Sequence, residues 1–493
     1  MSSLQAAGIL AGQVDFGYTR PVFERVAGPC LRRKGRKRVH YRERILYMKF
    51  IQTPVKGMQD FLPSDMQLRQ HVLSTIRRTY AQFGFNEIET PMMEHIENLT
   101  GKNGGENEKL IFKVLKRGAE LQRALGKIRA GGEAGTEANE DGTVLADSAL
   151  RYDLTVPLSR YYSCHKNDLP TPFKALQIGN VFRADRPQKG RFRQFTQCDI
   201  DIIGDSSSMA EIELIAATSK ALTRIFSEVN VHGFTVHIND RRILKAMAEN
   251  AGFPADSCDE VFIILDKMDK IGRDGVKEEL LKEGFDAAAT DCYIGYFDEL
   301  DKVLGQAGGK EQAALIKDFI AKTCGDKIGE DVGSSLSSIM EAAGRMIDSD
   351  ITLKFDPTLV RGMGYYTGTI FEITIDNYSF SIAGGGRYDK MVGKFSGQDA
   401  PACGFSIGFE RIYTILKDLN WKSTDEAEKK AYLVDLKSAA ARVPEVFAKA
   451  TAERGEGLTV TVEPLKKNAK FQIDTLEKAG YTTVTKVYAD TEL

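Results

Sequence analysis

The amino-acid sequence predicts an α+β protein: an antiparallel-sheet domain carrying a helical insertion, followed by a small C-terminal α/β domain. Three observations predict it. Strand-like segments alternate with helices through short, hairpin-like returns on both sides of residues 241–350, a pattern that favours a mixed α+β sheet over a doubly wound one. Residues 241–350 themselves show mainly helical periodicity, with glycine-rich breaks at Gly305–Gly309 and Gly325–Gly333. Beyond Trp421 a charged stretch, Lys422–Lys430, leads into strand–helix–strand–helix–strand text.

Taken in order, residues 1–47 hold ten Lys/Arg against three acids, a net +7 that leaves −9 on residues 48–493. This extension lacks the apolar core of a secretory signal and reads as a disordered tail, with organelle targeting or an RNA tether as the alternatives. From Met48 the text reads as a folded start. Met66, Leu68, Val72, Leu73, Ile76 and Tyr80 recur at helical spacing after Pro63-Ser64, and Gly84 ends that helix. Phe85–Thr90 alternates like a strand until Pro91, and residues 116–146, with six glycines and many charges, read as a mobile surface insertion. Strands are expected near Ala149–Leu154, Ala175–Arg183 and Gln194–Ile203. Ser208-Met209-Ala210-Glu211 has capping-box spacing and opens a helix to about Ser227. After the insertion, Ile370–Ile375 and Tyr378–Ile382 flank an Asp376-Asn377 turn as a hairpin. Ala402–Ile407 and a helix from Phe409 to about Leu419 close the domain. The resulting division is 1–47, a sheet domain 48–425, and a C-terminal unit 431–493.

Composition bounds the function. A chain of 493 residues holds about three domains' worth of sequence. Lys+Arg 67 against Asp+Glu 69 argues against a polybasic nucleic-acid coat, and 42% hydrophobic with 28% charged residues argues against general disorder. No run approaches the ~18 apolar residues of a membrane span, so no membrane partner is expected. Seven scattered cysteines without a C-x-x-C pair suit reduced thiols and give no zinc spacing. No metal-ligand set is read from the sequence.

Chemistry concentrates in four passages. In Arg183–Asp201, arginines including Arg191 flank a Pro187…Gly190 turn, and Gln197, Asp199 and Asp201 follow at period two on one strand face. Guanidinium forks match phosphate oxygens, and a polar strand face beside them fits a charged or zwitterionic small molecule. Val360–Glu372 offers Gly362, Gly364 and Gly368 beside Arg361, Tyr365 and Tyr366. Gly384-Gly385-Gly386-Arg387-Tyr388-Asp389 follows a strand and admits a ligand against bare backbone. Gly404–Arg411 places Arg411 in the first turn of a helix. Serine-hydrolase chemistry is expected to lack its G-x-S-x-G elbow, and kinase chemistry lacks its H-R-D set. A site whose working groups are arginines suits attack of a substrate carboxylate on a nucleotide phosphate.

On Val55–Asp65, Leu150–Leu158, Arg183–Asp201 and Leu359–Gly368, supported by Gly384–Asp389, Gly404–Ile412 and Asp266–Gly272, the chain resembles the histidine family of class II aminoacyl-tRNA synthetases. The resemblance implies the class II catalytic domain and a shortened anticodon-binding domain at 431–493. It also implies ATP as substrate with Mg2+, L-histidine, the histidine tRNA and a homodimer built near Pro91. A cytoplasmic location goes with it. By the same resemblance Arg183 meets the α-phosphate and the histidine carboxylate, and Arg191 and Arg411 grip the γ-phosphate end. Gly385 and Gly386 border the ATP, and Arg361 is the catalytic arginine at the reacting phosphate. Asp153, Thr155 and Gln197 hold the α-amino group, while Asp201 and Tyr366, beside Tyr365, read the imidazole. The family carries Asp where this chain has Gly364. A regulatory paralogue that binds histidine without adenylation is the alternative.

Overall fold

The computed structural model describes residues 51–100, 110–129, 143–187, 190–265, 267–305, 310–359, 365–378, 380–422 and 428–493. The expected tail 1–47, Arg361 and Gly364 therefore lie outside the described residues. Thr53–Leu493 form one compact unit.

Helix α1 (Pro63–Gln82) starts as the sequence predicts, with Pro at its first position, where a missing N–H costs nothing. Strand β1 (Asn86–Glu87) is shorter than the alternation of 85–90 implies. The chain turns away because the buried Arg151 guanidinium takes the Thr90 carbonyl at 2.6 Å and the Thr90 hydroxyl at 3.1 Å. β2 (Met93–His95), α2 (Ile96–Leu99), β3 (Lys113–Leu115) and β4 (Ala146–Leu150) follow, and β2, β4 and β3 form a small antiparallel sheet. Part of the stretch expected to be a mobile insertion is instead helix α3 (Gly118–Arg129). Leu121, Leu125 and Ile128 recur there at helical spacing beside the buried Ala124, which outweighs the local glycine content.

The strand expected to run to Leu154 also stops early, because Asp153 accepts the Val156 N–H at 3.1 Å and caps α4 (Thr155–His165). β5 (Phe173–Phe182) and β6 (Gln194–Ile203) form the hairpin predicted from the arginine-rich passage. Helix α5 (Met209–Ser227) begins at the expected place without the capping box. Glu211 is diverted to the buried Arg387, whose Nε and Nη2 each donate to it at 2.7 Å, a stronger charge-assisted pair than a cap.

The helical insertion, α6 (Arg241–Ala251), α7 (Cys258–Leu265), α8 (Met268–Lys282), α9 (Ala287–Leu304), α10 (Lys310–Cys324) and α11 (Glu330–Met346), joins two parallel strands, β7 (Phe234–Asp240) and β8 (Ile351–Phe355). Its apolar faces share one core with α1, α5 and the sheet, through Met247, Phe297 and Ile316. β9 (Thr369–Ile375) and β10 (Ser381–Arg387) turn at Asn377, φ 69°, as the hairpin signal predicts. The three glycines expected after that strand lie inside it. The short α12 (Gly393–Ser396), then β11 (Ala402–Gly408) and α13 (Phe409–Asp418), complete the domain.

The main sheet runs β1-β5-β6-β11-β10-β9-β7-β8, antiparallel except for the parallel β1–β5 and β7–β8 pairs at its two edges. On β6, Cys198, Ile200 and Ile202 face the helices, which turns Gln197, Asp199 and Asp201 to the opposite face. The C-terminal unit is β12 (Lys429–Val434), α14 (Val443–Gly455), β13 (Thr459–Pro464), α15 (Ala469–Lys478) and β14 (Thr483–Val487). Its parallel sheet, ordered β13-β12-β14, has one helix on each face, and a separate apolar cluster lies under each helix.

Candidate active site

A cavity of about 670 Å³ opens over the polar face of the central strands β5, β6, β11 and β10. Its walls include Asp153, Thr155, Arg183, Arg191, Gln197, Asp201, Tyr365, Tyr366, Gly385 and Arg411, which the sequence singles out from passages as far apart as residues 153 and 411. Gly386 stands beside the wall: a Cβ there would lie 2.5 Å from the Thr369 carbonyl oxygen and 2.9 Å from the Tyr366 ring.

The floor is unusual for a sheet. Gln197, Asp199 and Asp201 are 9%, 4% and 3% exposed, so the polar face is buried rather than solvated. A buried polar atom without a partner costs about 1–3 kcal/mol. Four acceptors meet none here: Asp153 Oδ2, Gln197 Oε1, Asp199 Oδ1 and Asp201 Oδ2. All four belong to residues lining the same cavity, and all are acceptors, so the complementary ligand is a donor or a cation. Burial pushes Asp153 up to about 6 and Asp201 up to about 7, the Asp201 rise opposed by the Tyr388 hydroxyl that donates to its Oδ1 at 2.6 Å. Gly404 makes room for that carboxylate, since a Cβ there would stand 1.9 Å from Asp201 Oδ1.

A carboxyl group raised from 3.8 to about 7 by folding contributes stability fully below pH ~4 and loses it as pH rises through 7. Asp201→Asn is therefore expected to raise the melting temperature of the ligand-free protein more at pH 8 than at pH 5. Equal shifts at both pH values in thermal melts would contradict the assigned burial cost.

Cations occupy the other wall. Arg183 Nε donates to the Tyr152 carbonyl at 2.9 Å, and the guanidinium carbon lies 5.1 Å from the Phe195 ring centroid. Arg411 donates to the Ser381 carbonyl and, at 3.2 Å, to the Ser381 hydroxyl. Arg191 lies 3.4 Å from Asp185, half exposed at the rim. Arg193 of the same passage is structural: it donates to the Asp185 carbonyl at 3.0 Å and clamps the segment around Gly57. Arg387 is likewise structural, sunk beneath the sheet in its pair with Glu211.

Three contributors lie inside the glycine-led passages without a role that the sequence assigns them. Tyr388 orients Asp201. Ser406 accepts the Gln197 amide at 2.9 Å. Glu410 on the cavity wall takes the Arg69 guanidinium at 2.6 and 2.9 Å. Tyr388 and Glu410 had a signal, each standing next to an arginine in a glycine-led motif, but nothing local states their partners. The expectation that the chain lacks a G-x-S-x-G elbow needs one correction, because Gly404-Phe405-Ser406-Ile407-Gly408 spells that pattern. Ser406 lies within the regular strand β11, not on a strand-to-helix elbow, and no histidine lines the cavity among the described residues. The pattern therefore carries no nucleophile.

Known proteins resemble this chain along most of its length. A family model described as histidyl-tRNA synthetase matches residues 57–126 and 141–412. The histidine–tRNA ligase of Leifsonia xyli subsp. xyli (strain CTCB07) is 40% identical over 440 residues, covering 89% of this chain and 96% of the relative. The crystal structure of histidyl-tRNA synthetase from Nostoc sp. PCC 7120 superposes with TM-score 0.68 at 27% identity, over 88% of this chain and 90% of that one. An ATP phosphoribosyltransferase regulatory subunit/histidyl-tRNA synthetase from Bacillus halodurans C, at 20% identity and TM-score 0.65 over 89% and 98%, shares the fold. With more than two thirds of its length matched by one family model, the chain belongs to the histidyl-tRNA synthetase family.

Proposed function

We propose that the chain joins L-histidine to the histidine tRNA in two steps. A carboxylate oxygen of histidine attacks the α-phosphorus of ATP and pyrophosphate leaves. A terminal ribose hydroxyl of the tRNA then attacks the carbonyl carbon of histidyl-adenylate and AMP leaves. The observation that carries this reading is one cavity with unpartnered acceptors on its floor and Arg183, Arg191 and Arg411 on its wall. The acceptors suit the ammonium and ring N–H groups of histidine, and the arginines suit a triphosphate.

Arg183, between the two, would meet both the histidine carboxylate and the α-phosphate. Arg191 and Arg411 would hold the γ-phosphate end, with Gly385 and Gly386 beside the nucleotide. Asp153, Thr155 and Gln197 would take the α-amino group, and Asp201 and Tyr366 the imidazole beside Tyr365. Arg361 keeps its role as the catalytic arginine on the strength of the motif alone. Among the described residues no three His, Cys, Asp or Glu side chains gather to hold a metal ion. Both Glu410 oxygens are occupied by Arg69. Mg2+ would come with the nucleotide and supply charge neutralisation of its phosphates. The C-terminal unit would contact the tRNA. Met92 and Met93, exposed beside Pro91, support a homodimer through that segment. No described helix is long and apolar enough to cross a membrane. A cytoplasmic site of action goes with the family likeness.

Histidine-dependent ATP–pyrophosphate exchange, run across the twenty amino acids, tests the reading. Exchange with histidine alone is expected, from a species of twice the chain mass in light scattering. No exchange, or equal exchange with other amino acids, rejects the activity. Histidine binding without exchange would favour the regulatory alternative, and a monomer would reject the dimer.

A further inference from the structure

Asp199 has no part in the proposed reaction, yet it is the middle member of the cavity floor. It stands opposite Ser406 of β11 and Gln177 of β5, between Gln197 at the ammonium end and Asp201 at the ring end. The Ser406 hydroxyl donates to its carboxyl, while Oδ1 meets no partner. Gln177 is spent elsewhere: its amide donates to the Leu154 carbonyl at 3.1 Å, and its oxygen accepts the Thr90 hydroxyl at 3.3 Å.

Asp199 and Asp201 thus each present one unused carboxylate oxygen on the same face of one strand. Against two ionised carboxylates a neutral imidazole, with one N–H donor and one bare nitrogen that is itself an acceptor, serves one of these oxygens and opposes the other. An imidazolium has two donors and a positive charge. We propose that Asp199 is a specificity-determining residue that, together with Asp201, holds the substrate's ring as the imidazolium. This rests on the histidine reading of the cavity, and it adds Asp199 as an acceptor beside the Tyr366 hydroxyl at the ring nitrogen that Asp201 does not take.

The charge around Asp199 agrees. Asp201 on its own strand and Asp153 beyond β4 disfavour its ionisation, and Arg183 at the end of β5 favours it. Arg151, the Cys198 thiol and the Tyr80 hydroxyl are the other titratable groups that feel it. Burial first, then the neighbouring Asp201 carboxylate, holds Asp199 well above the ordinary carboxylate range. Two buried acids this close retain a proton. A neutral histidine entering the site can take that proton onto its ring, leaving carboxylate and imidazolium with no net exchange with solvent.

The test uses the full chain and two ligands, histidine and 1,2,4-triazole-3-alanine, whose ring has nearly the same shape but is too weakly basic to become a cation near neutral pH. Calorimetry on the wild type is expected to show histidine bound ~10–100-fold more tightly than the triazole, the range for a hydrogen bond to a charged group. Asp199→Asn should remove most of that factor for histidine and change triazole binding less than about threefold. In 15N spectra of ring-labelled histidine bound at pH 8, both ring nitrogens should show protonated-type shifts in the wild type, with one reverting to the unprotonated type in the variant. One bare nitrogen in the wild type overturns the proposal, as does an equal loss for both ligands, which would put Asp199 on the ammonium. Unchanged histidine affinity in the variant overturns it too. Triazole binding serves as the fold control for the variant, and if the variant binds neither ligand the wild-type spectrum decides. Failure of the wild type to bind histidine at all would instead reject the reading of the cavity.

Discussion

Arg183→Ala is expected to slow histidine-dependent pyrophosphate exchange by ~10²–10³-fold, the usual loss when a preorganised donor to developing charge is removed. The residue sits at the end of β5, where the strand hands the chain to the hairpin turn. Its Nε is held by the Tyr152 carbonyl and its face lies over Phe195. Those contacts set the direction of the guanidinium before any substrate arrives. The loss amounts to about 3–4 kcal/mol of transition-state stabilisation. The fold loses one side-chain hydrogen bond, about 1 kcal/mol, so the variant should remain folded by circular dichroism. Arg183→Lys keeps the charge but not the planar fork, and an intermediate rate is expected. Exchange within about threefold of wild type in Arg183→Ala would remove the residue from the phosphate-binding set.

The largest expected stability effect lies at Arg69. Its guanidinium is buried 3.9 Å from the Phe61 ring centroid and 4.6 Å from that of Phe409, and it makes two bonds to Glu410 and one to Thr196. This pair ties α1 to the start of α13, one residue before Arg411. Arg69→Met keeps much of the apolar stem but leaves the Glu410 carboxylate buried without its cation. Breaking such a pair from one side costs ~3–5 kcal/mol. Urea unfolding should show that loss, and the KM for ATP should rise because Arg411 is positioned by its neighbour. Adding Glu410→Gln should recover part of the stability, a coupling of ~1–3 kcal/mol in the double-mutant cycle. A single variant within about 1 kcal/mol of wild type would show that the pair is not holding the two helices together.

Much of the fold is legible in the sequence because its signals are local. The β6 limits, the Asn377 hairpin and the strand–helix alternation after Trp421 follow from side-chain period and turn chemistry, which act over a few residues. The misses share one cause. Strand β1 ends early because of Arg151, and the capping box at Ser208 fails because Glu211 meets Arg387, partners 61 and 176 residues away. A local preference worth a few tenths of a kcal/mol to about one yields to a buried, charge-assisted pair.

The site divides in the same way. The sequence by itself named the arginines, the period-two polar strand and the family likeness, since residue type and spacing are written in it. Only the tertiary structure decided that this polar face is buried, that Asp201 is steered by Tyr388, and that Asp199 shares its cavity. Those facts depend on which strand lies beside which. Strand pairing is set by burial summed over the whole sheet, a quantity no short stretch of text contains.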